Sequence, residues 1–285
     1  MIRIADMQYV RLATRDVEKA AKFLTETIGL QLVRREDGRA YFRGDDRDHD
    51  ICYFPGEPGN HIVGLKIETR AELDAAAKEL AAAGIAVERG TKELCEERRV
   101  LDLVRFKDPT GNTFELVLRP HISVRRYFPT RDAGITEFSH IGLKTANATR
   151  DEEFWSTLFN FRANDWIGPA GLLSFDNVHH RFALFPADKP GVQHINFQVQ
   201  SIDDIMRSYY HLQERQVHIV FGPGRHLAST ACFLYFDGPD GVVYEYSWGV
   251  RNVDETWRPR QIPFEDGGFC MWGAKPDVAE FMSKT

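Results

Sequence analysis

The chain has 285 residues, 43% hydrophobic and 27% charged, a globular composition that excludes a disordered or collagen-like polymer. A net charge of −6 without a long basic run gives no electrostatic footprint for nucleic acid or anionic lipid, and no stretch approaches the roughly 18 consecutive apolar residues of a membrane span. Cys52, Cys95, Cys232 and Cys270 are far apart and form no C-x-x-C pair, which argues against a disulfide scaffold or thiolate zinc site; the N-terminus lacks the basic-then-apolar layout of a secretory leader, so a cytoplasmic location is expected.

In chain order, an alternating strand pattern at Met7–Asp16 precedes a helix over about Val17–Ile28, with Ala20, Phe23, Leu24 and Ile28 on one side. A second strand at Asn60–Lys66 leads to a helix near Ala71–Ala83. Phe106–Glu115 then contains the turn Asp-Pro-Thr-Gly-Asn, in which Pro fixes φ and Gly tolerates φ > 0. The same series returns: a strand at Phe138–Thr145, a helix at about Asp151–Phe161, a strand at Gln193–Val199 and a helix at Ile202–Arg215. It ends at Phe236–Glu245, around the turn Gly-Pro-Asp-Gly. Tyr9 and His140, His61 and His194, and Glu115 and Glu245 are separated by 131, 133 and 130 residues. Three segments agreeing so closely identify a tandem duplication. The division is a first domain at 1–128, a linker at 129–136, a second domain at 137–250 and a partly irregular tail at 251–285. Each half holds two units of strand, helix and further short strands, and each proline-glycine turn should close a hairpin.

His140, His194 and Glu245 stand inside apolar strands, where an imidazole or carboxylate is costly to bury unless paired or metal-bound. If the two modules of the second half face each other, the three converge on one point. Two His and one carboxylate form the facial set that leaves open positions on non-haem Fe(II).

Gly224-Arg225-His226, then Leu234-Tyr235-Phe236, then Gly238-Pro239-Asp240-Gly241 and Glu245 resemble the signature of type I extradiol ring-cleaving dioxygenases. His226 lies nine residues before Tyr235, which lies ten before Glu245, as in that family pattern. The family belongs to the vicinal oxygen chelate superfamily. The resemblance implies an α+β fold of tandem βαβββ modules in two similar domains, the first metal-free and the second catalytic. It implies His140, His194 and Glu245 as metal ligands, with Fe(II) as cofactor and Mn(II) able to replace it. The implied acid–base histidine falls on His179 or His180, which the alignment does not separate. Tyr235 would hydrogen-bond substrate, and His226 would orient substrate or Tyr235. Gly238 departs from the family's usual small polar residue or Ala, at a turn position where Gly preserves the geometry.

The implied activity is extradiol cleavage of a catechol-type diol by O₂ in aromatic-compound catabolism, by a homo-oligomer. Two other readings share the fold: a glyoxalase-like metal-dependent lyase or isomerase, and a metal-free binding protein of the bleomycin-resistance type. Aromatic residues in Trp166–Phe175 and Trp248 are candidates for a substrate pocket. His49, His121, His211 and His218 match no family spacing and read as surface or packing residues. Tyr9, His61 and Glu115 stand at the first-half positions of the ligand set, but Arg105 replaces Tyr235 and Glu96 replaces His226. One metal per chain is therefore expected.

Overall fold

The alternating N-terminal stretch forms strand β1 (Asp6–Thr14), the first element of a strand–helix–three-strand module that recurs along the chain. The computed structural model describes residues 1–277 and 281. After β1 comes α1 (Val17–Phe23), capped by the Asp16 carboxylate accepting from the Lys19 N–H. It continues through a wider turn at Leu24–Ile28 and stops at Gly29, whose φ of 87° requires a residue without a Cβ. Strands β2 (Gln31–Glu36), β3 (Arg39–Arg43) and β4 (Ile51–Pro55) complete this module. The second module comprises β5 (His61–Ile67), α2 (Arg70–Ala82), β6 (Glu88–Arg89), a helix α3 (Lys92–Arg98), β7 (Asp102–Lys107) and β8 (Thr113–Leu118). They form one sheet in the order β2-β3-β4-β1-β5-β8-β7-β6. At its centre β1 and β5 are antiparallel, and each lies parallel to the last strand of its own module. The sheet therefore reads alike from either edge.

The second half repeats the plan with β9 (Ile135–Thr145), α4 (Ala148–Leu158), β10 (Arg162–Ile167), β11 (Ala170–Ser174) and β12 (Phe182–Pro186). Its second module is β13 (Gly191–Val199), α5 (Ile202–Glu214), β14 (Ile219–Arg225), β15 (Cys232–Asp237) and β16 (Val243–Trp248). Both proline-glycine turns close antiparallel hairpins, β7 with β8 and β15 with β16. Helix α4 starts three residues before the expected Asp151, because the Asn147 side chain accepts from the Arg150 N–H. It stops at Leu158 because Phe159 turns to extended backbone, φ −115° and ψ 167°.

Beyond Trp248, where the sequence pattern weakens, the chain adds β17 (Arg260–Ile262) and β18 (Trp272–Gly273). The first runs parallel to β10 and the second antiparallel to β14, at opposite edges of the second sheet. Segments of three and two residues are too short to show an alternation. They cover backbone groups that an open edge would leave unpaired.

The two halves share one apolar core. Trp155 of α4 meets Phe106 and Phe114 of the first sheet and Phe161 and Phe182 of the second half, with ring centroids 4.7–6.2 Å away. The Asp-Pro-Thr-Gly-Asn turn also reaches across: Asn112 donates to the Lys144 carbonyl at 3.1 Å and accepts from the Gly191 N–H at 2.9 Å. Among the described residues, no helix is long and apolar enough to cross a membrane.

Candidate metal centre and active site

Three adjacent central strands of the second sheet, β9, β13 and β16, carry His140, His194 and Glu245. Their register sets His140 opposite Asn196, and Asn196 in turn beside Glu245. A shift between Val192 and His194 swings the second histidine across the strand. It passes over Gly142, where any Cβ would run into the imidazole.

The ligand atoms of these side chains lie within 4.8 Å of one another, and all three are buried. His140 Nε2 is 3.1 Å from His194 Nε2, and Glu245 Oε2 is 3.0 Å and 3.5 Å from those two nitrogens. Ligand atoms about 2.1 Å from a divalent ion and at right angles lie about 3 Å apart. Glu245 Oε2 is buried with no hydrogen-bond partner among the described residues. A buried carboxylate oxygen without a hydrogen-bond partner, facing two ring nitrogens, suits a bound cation.

The protonation states suit the same role. Burial pushes His194 down to about 3, against the pull of the Glu245 charge, so its imidazole is neutral. Burial alone would raise the Glu245 carboxyl. Contacts with His140, His226 and His194 outweigh it and hold the group well below the usual carboxylate range. Metal ligands need these forms, a neutral imidazole and an ionised carboxylate. The Gln193 side-chain oxygen accepts from His194 Nδ1, which leaves the lone pair at Nε2.

A cavity of about 30 Å³ adjoins these ligands, lined by His180, His194, His226 and Tyr235 and by apolar side chains including Phe185, Phe269 and Phe281. The structure separates the histidine doublet. His180 lines this cavity with its ring 4.3 Å from that of His140, whereas His179 lies behind it. His179 bonds the His180 ring at 3.1 Å, Nδ1 to Nδ1, and Asp165 at 2.9 Å through Nε2. His226 Nδ1 donates to the Phe269 carbonyl at 2.8 Å, so its Nε2 accepts from the Tyr235 hydroxyl at 3.1 Å. Burial and then the nearby Glu245 charge raise the Tyr235 phenol well above its usual value, so it remains a donor.

Sequence reasoning missed Asp165, Arg260, Phe269 and Phe281. A buried acid in strand β10 was the only available signal for Asp165; nothing in the irregular tail marked the other three. The expected aromatic lining also differs. Ile167 and Leu172 line the cavity, while the Trp166 indole turns away to donate to Glu152 at 2.7 Å. His121 and His218 are exposed, as expected, and His211 bonds the Glu26 carbonyl.

His49 is a different matter. It is buried, and the pairings Val10 with Ile51 and Ile141 with Phe182 make it the first-half counterpart of His180. The counterpart of His194 also needs correcting. Strand register pairs Ile62 with Thr113 and His194 with Val243, so Ile62 takes that place and His61 lies one residue away. The one-residue slip arose because sequence matching aligned identical histidines and ignored the strand face. Glu115 does occupy the counterpart position of Glu245, but cations and a phenol already satisfy it. Tyr9 donates to it at 2.5 Å, Arg98 Nε at 3.0 Å and Arg105 Nη2 at 2.7 Å.

The profile of the glyoxalase, bleomycin resistance protein and dioxygenase superfamily matches residues 6–116 and again 137–246. The chain belongs to that superfamily. The two matches fall on the two halves, so the duplication expected from the sequence is present in the family's own unit. A biphenyl-2,3-diol 1,2-dioxygenase of Pseudomonas sp. strain KKS102 is 29% identical, over 95% of this chain and 97% of its own. An iron-dependent extradiol dioxygenase of Rhodococcus jostii strain RHA1 is 28% identical, over 95% and 96%. Among solved structures, a halotolerant catechol dioxygenase superposes with a TM-score of 0.88 at 25% identity, over 97% of this chain and 96% of that one. A Mn(II)-bound glyoxalase from Novosphingobium aromaticivorans gives 0.87 at 25% identity, over 99% and 95%. The residues that resembled extradiol dioxygenases thus sit in a chain whose relatives carry that name.

Proposed function

We propose that this chain is an extradiol dioxygenase, which opens a catechol-type ring beside its two hydroxyls and places both atoms of O₂ in the product. The observation that carries this reading is the cluster of His140, His194 and Glu245 with its orphaned carboxylate oxygen, under a largely apolar cavity edged by His180, His226 and Tyr235. The cofactor is Fe(II); Mn(II) accepts the same nitrogen and oxygen donors. When bound, such an ion supplies Lewis acidity toward the diol oxygens and a redox-active place for O₂.

The chain's own residues do the rest. His140, His194 and Glu245 hold the ion, and their formal charge of −1 leaves a net positive centre for a dianionic diol. His180 takes a hydroxyl proton from the arriving diol and returns one later; burial, and then the neighbouring histidines, push it well below its ordinary value, so the ring is neutral and able to accept. Tyr235, kept protonated, holds its hydroxyl on His226 Nε2 beside the cavity and turns that one proton to a substrate oxygen when the diol binds. Phe185, Phe269 and Phe281 keep water from the ring. Three large apolar side chains between β8 and β9, Ile122, Val124 and Phe128, are exposed, which supports assembly as a homo-oligomer.

The test is anaerobic loading with Fe(II), followed by O₂ uptake across a catechol panel. One O₂ per diol and a yellow ring-opened product are expected. His140→Ala, His194→Ala and Glu245→Ala should each bind substoichiometric metal and lose turnover by more than about 10³-fold, while keeping the folded-state spectrum. Metal-dependent proton transfer without O₂ uptake would instead indicate glyoxalase-type chemistry.

A further inference from the structure

Behind His180 lies a buried chain of hydrogen-bonding groups whose donors and acceptors follow from one fixed end. Arg260 of β17 donates to Asp165 Oδ1 through its backbone N–H at 2.8 Å and its Nε at 3.1 Å, and to Oδ2 through Nη2 at 2.5 Å. Asp165 is fully buried, and these bonds with the one from His179 hold it ionised although burial opposes this. An ionised carboxylate only accepts. The Nε2 of His179, 2.9 Å from Oδ2, therefore carries a proton.

His179 itself is neutral. Burial is the main cause that lowers it; Asp165 pulls the other way, and the Arg251 and Arg260 cations add to the lowering. Arg260 already balances Asp165. A neutral imidazole protonated at Nε2 has its lone pair at Nδ1, so across the 3.1 Å contact it is His180 that donates from Nδ1. The lone pair of His180 then lies at Nε2, on the ring edge opposite His179. The His179 backbone is anchored too, its N–H to the Arg251 carbonyl and its C=O to the Asn164 amide.

We infer that Asp165, acting through His179, fixes His180 in the tautomer whose Nε2 accepts a proton from a diol hydroxyl. This rests on the acid–base role of His180 proposed above. In the step itself the hydroxyl O–H bond breaks and an Nε2–H bond forms. The positive charge on His180 then faces the His179 lone pair, with the Asp165 carboxylate beyond it. His179 and Asp165 are positioning residues; neither lines the cavity. The C-terminal tail takes part, because β17 supplies the arginine that orients the carboxylate.

Asp165→Asn makes a specific reversal. Oδ1 takes two Arg260 donors and Oδ2 one, and that third, Nη2, keeps the Ala228 carbonyl as an acceptor; the amide oxygen therefore takes the Oδ1 position, which turns the NH₂ toward His179 Nε2. His179 then accepts at Nε2 and donates from Nδ1, and His180 is left with its proton on Nε2. ¹⁵N NMR of the full-length, histidine-labelled protein loaded with diamagnetic zinc reads each ring nitrogen directly. The wild type should show His180 protonated at Nδ1 only, and Asp165→Asn should show it protonated at Nε2 only. In the iron-loaded protein the same variant should lose at least about 100-fold in kcat, with KM and anaerobic catechol affinity changed by less than about threefold. His179→Asn places an acceptor oxygen where Nδ1 was; it should keep the Nδ1–H form of His180 and retain turnover within about tenfold, whereas His179→Leu should not. A wild-type His180 protonated at Nε2, or a tautomer that Asp165→Asn leaves unchanged, overturns the inference. A reversed tautomer with undiminished kcat instead overturns the acid–base role of His180.

Discussion

His49 and His180 hold the same place in the two halves, and their neighbours decide what each ring can do. His180 faces a cavity. His49 is sealed, stacked on Tyr9 at 5.1 Å with its Nδ1 2.8 Å from Asp48. Burial pushes it from 6.5 down to about 4, against the pull of Asp48. Between those two values the unfolded chain binds a proton that the folded one refuses, so stability should fall as pH drops from about 6.5 to 4. The full loss is about 3 kcal/mol. Asp48, itself lowered to about 2, acts in the same direction but in a more acidic window. Denaturant midpoints measured from pH 7 to 4 should fall in both proteins, because His194, His179 and His180 are also lowered by burial. The fall should be smaller in His49→Gln by about 3 kcal/mol; parallel curves would refute the assignment. The proposed metal ligands were legible in sequence because a His or Glu inside an apolar strand is conspicuous, and a fixed spacing tied them to Tyr235 and His226. Asp165 and Arg260 were not: one is 14 residues from His179, the other 95 from Asp165, and only the folded sheet brings them together.

At the scale of elements, the modules were readable because four helices with apolar faces and two proline-glycine turns recur in phase. Helix α3 was not, since its counterpart stretch in the second half is occupied by β14 and the turn after it. The tail escaped for the reason that makes it useful: its strands are short edge covers held by backbone bonds, while two of its aromatic side chains, Phe269 and Phe281, are buried. Phe269 stacks on Phe281 at 5.1 Å, and Phe281 lies 4.7 Å from Phe185 and 5.7 Å from Tyr235. A cavity of about 30 Å³ is far smaller than the ~150 Å³ that accommodates a benzene ring. Ring entry must therefore displace these side chains. Phe269→Ala keeps the backbone carbonyl that orients His226 and removes a ring from the cavity wall. Its kcat/KM for biphenyl-2,3-diol relative to catechol should rise about tenfold, with a stability cost of about 3 kcal/mol. An unchanged ratio in a folded variant would show that the tail does not bound the substrate.

At the scale of the whole molecule, duplication built two equivalent positions, and charge decides which of them is suited to a metal. In the second half, Gly142 leaves room for the His194 ring, and two neutral-capable imidazoles face Glu245. In the first, Arg11 stands at the register position of Gly142, and Ile62 at that of His194. Tyr9 replaces His140, with a phenol raised well above 10 mainly by burial and then by Glu115, so it cannot serve as an anionic ligand. Arg98 and Arg105 put guanidinium groups on Glu115, delivering locally the positive charge that an ion would bring. A cation has neither ligands nor electrostatic reason to enter there. Reconstituted protein should hold one divalent metal per chain. Glu115→Gln should leave that stoichiometry and the kcat per metal intact while destabilising the fold by about 3 kcal/mol, because the buried Arg98 keeps Glu97 but loses its fully buried carboxylate partner. Glu245→Gln should do the opposite, weakening metal binding with little loss in the unfolding free energy of the metal-free protein. Two metals per chain, or metal lost from Glu115→Gln, would show that the first half retains a working centre.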